Sequence, residues 1–94
     1  MQRLNSPRID AQARQLKSDE LKPLRKELNR IDNRLGVLFG DRDAIEASFT
    51  AGTLTPAQLA ESGKKLKAIT EEIGLLEGQW LDLSTQVDEL TARA

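Results

Sequence analysis

Two unbroken heptad series dominate this chain. From Leu21 the apolar positions run Leu21, Leu24, Leu28, Ile31, Leu35, Leu38, Arg42, Ile45, Phe49. From Leu59 they run Leu59, Ser62, Leu66, Ile69, Ile73, Leu76, Trp80, Leu83, Val87, Leu90. In both series the steps alternate three and four residues, which draws one apolar stripe down one side of a helix and asks for a second helix against it. The stretch between them, "SFTAGTLTPAQL", is a compact stop and restart. Gly52 can end the first helix. Thr55 can cap the next, Pro56 suits its first position, Gln58 completes a capping box, and Leu54 with Leu59 forms a hydrophobic staple. So short a turn makes the two helices antiparallel neighbours. The expected fold is all-α: a two-helix antiparallel coiled-coil hairpin over 19–94, with a helix over about 20–50, a turn at 51–54 and a helix over 55–92.

The start of the chain reads differently. Residues 1–18 carry a Ser6-Pro7 breaker and mostly polar side chains, the pattern of a linker that is largely disordered or partly helical. Pro23 would kink any helix running through it, so the main helix is expected to begin near Asp19 to Pro23. That leaves Val87 and Leu90 at the far end without a partner, and Leu16 is the residue placed to cover them.

Register can also be argued. With a short turn, Leu38 should meet Leu66, Leu35 Ile69, Ile31 Ile73, Leu28 Leu76, and Leu24 Trp80. The polar exceptions Arg42 and Ser62 then share a layer near the tip, where Arg42 can snorkel to water. The flanking positions become Arg25–Glu77, Arg34–Glu72 and Asp41–Lys65, all opposite in sign. Sliding by one heptad sets Asp41 near Glu72 and Asp32 near Glu77, or, in the other direction, Arg34 near Lys65 and Glu27 near Glu72. Each surface pair contributes only about 0–1 kcal/mol, so the charges select register more than they stabilise.

Composition narrows the chemistry. The chain has no cysteine and no histidine, which removes thiolate and imidazole metal sites and the commonest general base. Charged residues are 31% and aromatics 3%, a balance suited to long solvated helices. No apolar run is long enough to span a membrane. There is no phosphate-cradling glycine loop, and a two-helix hairpin offers no deep pocket, so catalysis, metal and cofactor are not expected on this chain. Gly36, Gly40, Gly74 and Gly78 fall at outer positions. They fit tolerated drift, or a smooth face near Val37, Phe39 and Leu75 that another surface approaches.

The net charge of −1 conceals an asymmetry: residues 1–30 hold eight Lys/Arg and four Asp/Glu, while residues 53–94 hold four Lys/Arg and seven Asp/Glu. The basic start supplies a candidate phosphate-binding set: Arg14, Lys17, Lys22, Arg25, Lys26 and Arg30, with Arg34 beside them. A second patch is Lys64, Lys65 and Lys67, with Arg42 nearby. Such cations would contact phosphates without reading sequence.

The stretches "DELKPLRKELNRIDNRL" (19–35) and "EEIGLLEGQWLDLSTQVDEL" (71–90), joined by a hairpin turn and preceded by "AQAR" (11–14), resemble the C-terminal coiled-coil domain of ABC-F ATP-binding proteins of the Uup/YheS branch. The likeness spans about residues 11–91. At the tip, "IEASFTAGTLTP" departs from an aspartate-leucine-tyrosine style tip, and Phe49 is the nearest aromatic. The resemblance implies a cytoplasmic accessory domain of a soluble ATPase with two cassettes, ribosome-associated and binding DNA or ribosomal RNA. ATP and magnesium would belong to the parent's cassettes. The alternative is a protein-interaction or spacer hairpin that docks on those cassettes or on ribosomal proteins. A third possibility is pairing with a second copy, so the chain is expected to be a monomer or weak dimer.

Overall fold

In a computed structural model, residues 7–92 are described, with side chains from Ser18 to Ala92. Among them are two helices, α1 (Pro7–Ala51) and α2 (Pro56–Ala92), and no strand. The fold is the expected all-α hairpin, measuring 79 × 16 × 15 Å. The turn is built by local chemistry. Gly52 adopts φ +66°, the left-handed conformation that closes a helix C-terminus, and its N–H donates to the Phe49 carbonyl at 3.2 Å. Thr55 and Gln58 form the reciprocal capping box. The Gln58 N–H donates to Thr55 Oγ1 at 3.2 Å, and the Thr55 N–H donates to Gln58 Oε1 at 2.9 Å.

The first helix is longer than its sequence suggested. α1 starts at Pro7 and runs for 45 residues, with Pro23 inside it. Pro7 occupies the first helical position, where a missing N–H costs nothing. Pro23 lies on an exposed side of the helix, where water can stand in for the ladder bond it does not make.

Register differs from expectation as well. Asp41, Ala44 and Ile45 wall one groove with Lys65, Ala68 and Ile69. Glu27 and Arg30 wall a second with Gln79, Asp82, Leu83 and Gln86. Asp32, Leu35 and Phe39 wall a third with Glu77, Trp80 and Leu81. These groups come level only when α2 is slid one heptad from the anticipated alignment. Leu38 is then level with Ile73, Leu35 with Leu76, Ile31 with Trp80, Leu24 with Val87 and Leu21 with Leu90. Burial agrees. One core cluster contains Ile31, Leu35, Leu38, Ile73 and Leu76, with Phe39, Ile69 and Leu83 against it. Leu21 is buried too.

The reason is apolar burial at the base. In the anticipated alignment the seam positions before Leu21 are Lys17 and Arg14, and these would face Val87 and Leu90. The observed alignment gives Val87 and Leu90 leucine partners instead. The cost falls at the tip, where Leu59 remains 45% exposed. Both alignments close the same number of apolar layers, but the observed one half-buries Val87 and Leu90 and exposes only Leu59 in exchange, a net gain of one aliphatic side chain, worth at most about 1.5–3 kcal/mol. The surface pairs given up contribute about 0–1 kcal/mol each. Leu16 is not required to cover the base, and its side chain lies outside the described residues. Arg42 and Ser62 do not share a layer, because Arg42 is level with Ile69. Its guanidinium sits 5.0 Å from the Phe39 ring centroid, with the buried Nε 3.8 Å from Glu46 and 3.9 Å from Asp43.

Candidate nucleic-acid interface

Lys22, Lys26, Arg30 and Arg34 follow one another at intervals of four, which sets them along a single ridge of α1. Arg25 sits beside this ridge, and all five side chains are exposed. Four helical steps rise about 6 Å, so the row spans about 18 Å. Arg14 and Lys17 belong to the same helix nearer its start, but their side chains lie outside the described residues.

The row divides by ion pairing. Arg30 is held by Glu27 one turn earlier, Nε donating at 2.8 Å and the second nitrogen also bonded to the same oxygen. Arg34 reaches across the hairpin and holds Glu72 with both ends of its fork, at 2.7 and 2.9 Å. These hydrogen bonds push Glu27 and Glu72 below the ordinary carboxylate range and raise the two arginines. Lys22, Arg25 and Lys26 have no ion pair among the described residues. Of the three cross-hairpin pairs expected from sequence, only Arg34–Glu72 forms. In the observed register it is a diagonal contact, within reach because both side chains are long. Arg25–Glu77 and Asp41–Lys65 do not form, because the slide carries their partners out of line.

The second basic set lies elsewhere. Lys64, Lys65 and Lys67 are exposed near the start of α2. The observed register sets them about 20 residues towards the tip from Lys26, hence about 30 Å away. The structure therefore does not bring the two basic sets together. Between them lie Asp32 and Glu77, which wall one groove with Leu35, Phe39, Trp80 and Leu81. This groove was not singled out from sequence, because it exists only in the observed register. Trp80 occupies a seam position yet stays 38% exposed.

Among the described residues no group of three or more His, Cys, Asp or Glu is placed to hold a metal, and no helix is long and apolar enough to cross a membrane. Compared with known protein families, curated proteins and solved structures, the chain gives no match.

Proposed function

We propose that this hairpin is an accessory module that holds nucleic acid by its phosphates along the α1 ridge. The observation that carries the reading is the exposed trio Lys22, Arg25 and Lys26, which have no ion pair among the described residues, at the start of the Lys22–Arg34 row. A row of cations spaced by single helical turns suits a phosphate backbone and reads no bases. In this reading Arg30 and Arg34 are secondary, because binding phosphate requires each to leave a carboxylate. The resemblance of the sequence to the ABC-F C-terminal domain supports reading the module as part of a soluble ATPase, with DNA or ribosomal RNA as its target and the ATP chemistry on cassettes outside this chain.

The test is a fluorescence-anisotropy titration of labelled duplex DNA and of structured RNA at low and moderate salt. Binding should fall steeply with salt, with a slope of about three for three phosphate contacts. Changing Lys22, Arg25 and Lys26 to Glu should abolish it while circular dichroism stays helical. Binding that survives in that triple variant refutes the site.

A further inference from the structure

The two arms of the hairpin fit together in more than one position. Ala51 ends α1 and Pro56 begins α2. If these two residues were level, Leu35 would lie opposite Glu72 and Leu28 opposite Gln79, and the apolar stripes would miss each other. A complete seam needs a slide of three or four residues from there, in one direction or the other. The observed alignment is the slide of four, with Pro56 about 6 Å beyond Ala51. The slide of three, the other way, sets Leu38 level with Leu66, Leu35 with Ile69, Ile31 with Ile73 and Leu28 with Leu76. Pro56 is then level with Ser48, about 4.5 Å short of Ala51. The chain from Ala51 to Pro56 can span about 17 Å, and packed helices lie about 8–10 Å apart. The turn therefore serves both alignments with neither helix unwound. Its caps do not oppose the move: the Gly52–Phe49 bond belongs to the end of α1 and the Thr55–Gln58 box to the start of α2.

Little separates the two positions. Each closes the same number of apolar layers. The observed one half-buries Val87 and Leu90 and leaves Leu59 exposed. The second covers Leu59 with Ile45 and sets Val87 and Leu90 against Lys17 and Arg14. Against its one extra aliphatic side chain the observed alignment carries a defect. Arg42 is level with Ile69, and among the described residues its buried Nε has no hydrogen-bond partner, Glu46 and Asp43 at 3.8 and 3.9 Å being too far to accept. In the second alignment Arg42 faces Ser62, whose hydroxyl can accept from it. Arg25 then comes within reach of Glu77, and Asp41 of Lys65, two pairs absent from the observed ion pairs.

We infer that the hairpin is a two-position slide: α2 moves one heptad, about 10 Å, along α1 with both helices intact, and the observed alignment is the more populated position. In that position α2 leads at the tip; in the other α1 leads. A contact at the tip that prefers one profile changes, by linkage, which residues of α2 stand beside α1 at the base. The device does not depend on the nucleic-acid reading.

Disulfide trapping tests it. The chain has no cysteine, so an introduced pair reports one alignment. Leu28→Cys with Leu83→Cys is level in the observed position, and Leu28→Cys with Leu76→Cys in the second. In the observed position the latter pair is about 10 Å out of line along the axis, beyond the reach of a disulfide. Under mild oxidation of dilute protein the first pair should close fast. The second should close fully within one chain, more slowly, and the locked product should keep its helical circular dichroism. Leu24→Cys with Trp80→Cys, also level only in the second position, should behave alike. Arg42→Leu should slow the second closure at least roughly fivefold, since leucine suits the Ile69 layer. Val87→Ala with Leu90→Ala should speed it by about tenfold. Low urea should leave its rate nearly unchanged, because a slide exposes little new surface. The proposal is overturned if neither second-position pair closes, if closure removes helix, if its rate climbs steeply with urea as unfolding would, or if it ignores both the Arg42 and the Val87–Leu90 changes.

Discussion

The centre of the hairpin and its tip are held by different physics. At the centre, Ile31, Leu35 and Leu38 pack with Ile73 and Leu76 into a dry seam. At the tip, a left-handed glycine and a reciprocal capping box do the work with polar groups close in sequence. The centre is strong and non-local. The tip is weaker, local and geometrically specific. A heptad seam looks the same after a slide of seven residues, so its strength does not determine its alignment. A capping box has no such degeneracy.

The difference can be tested at the two ends of the energy scale. Leu38→Ala should cost about 3 kcal/mol, the usual loss for a fully buried leucine. Leu59→Ala, at a seam position left half open, should cost less than about 1 kcal/mol. Urea unfolding followed by circular dichroism at one fixed concentration separates them. Equal losses would restore the alignment that buries Leu59. Thr55→Ala comes next, at about 1 kcal/mol for the lost cap. Gly74→Ala should stabilise by about 0.5–1 kcal/mol, because a methyl group there meets nothing within 4 Å. A rise in urea midpoint without change of slope would show it.

The smallest effect concerns Glu72. The Arg34 hydrogen bond holds its carboxyl below the ordinary value of 4.5. Its contribution is therefore complete above that value and fades only as pH falls through the lowered one. An NMR titration of the Glu72 side chain should give a midpoint below 4.5, and Arg34→Gln should bring it back up. An unmoved midpoint would mean the pair is not populated in solution.

The same contrast explains what the sequence made legible. The all-α hairpin, the turn, the Thr55–Gln58 cap and the exposure of the Lys22–Arg30 ridge follow from local pattern, and the structure has them. The alignment of the arms did not follow. The anticipated alignment rests on the short turn, a shared Arg42–Ser62 layer and three charge pairs, each worth little, whereas the cover that Val87 and Leu90 gain at the base appears only when both helix ends are considered. The continuation of α1 through Pro23 was missed for a related reason: the cost of a proline depends on whether its side of the helix is exposed, which sequence does not state. The Trp80 groove is not legible in the sequence, because it depends on which residues of α1 and α2 come level.

An uninterrupted heptad seam also makes the hairpin a ruler with discrete marks. Adding seven residues to one arm alone would leave the other without partners, and adding one or two would turn the stripe away from the seam. Only matched insertions of whole heptads keep the seam intact. The separation between tip and base can therefore change only in increments of about 10 Å. Whatever is attached at the base and whatever meets the tip are spaced by counting rather than by continuous adjustment.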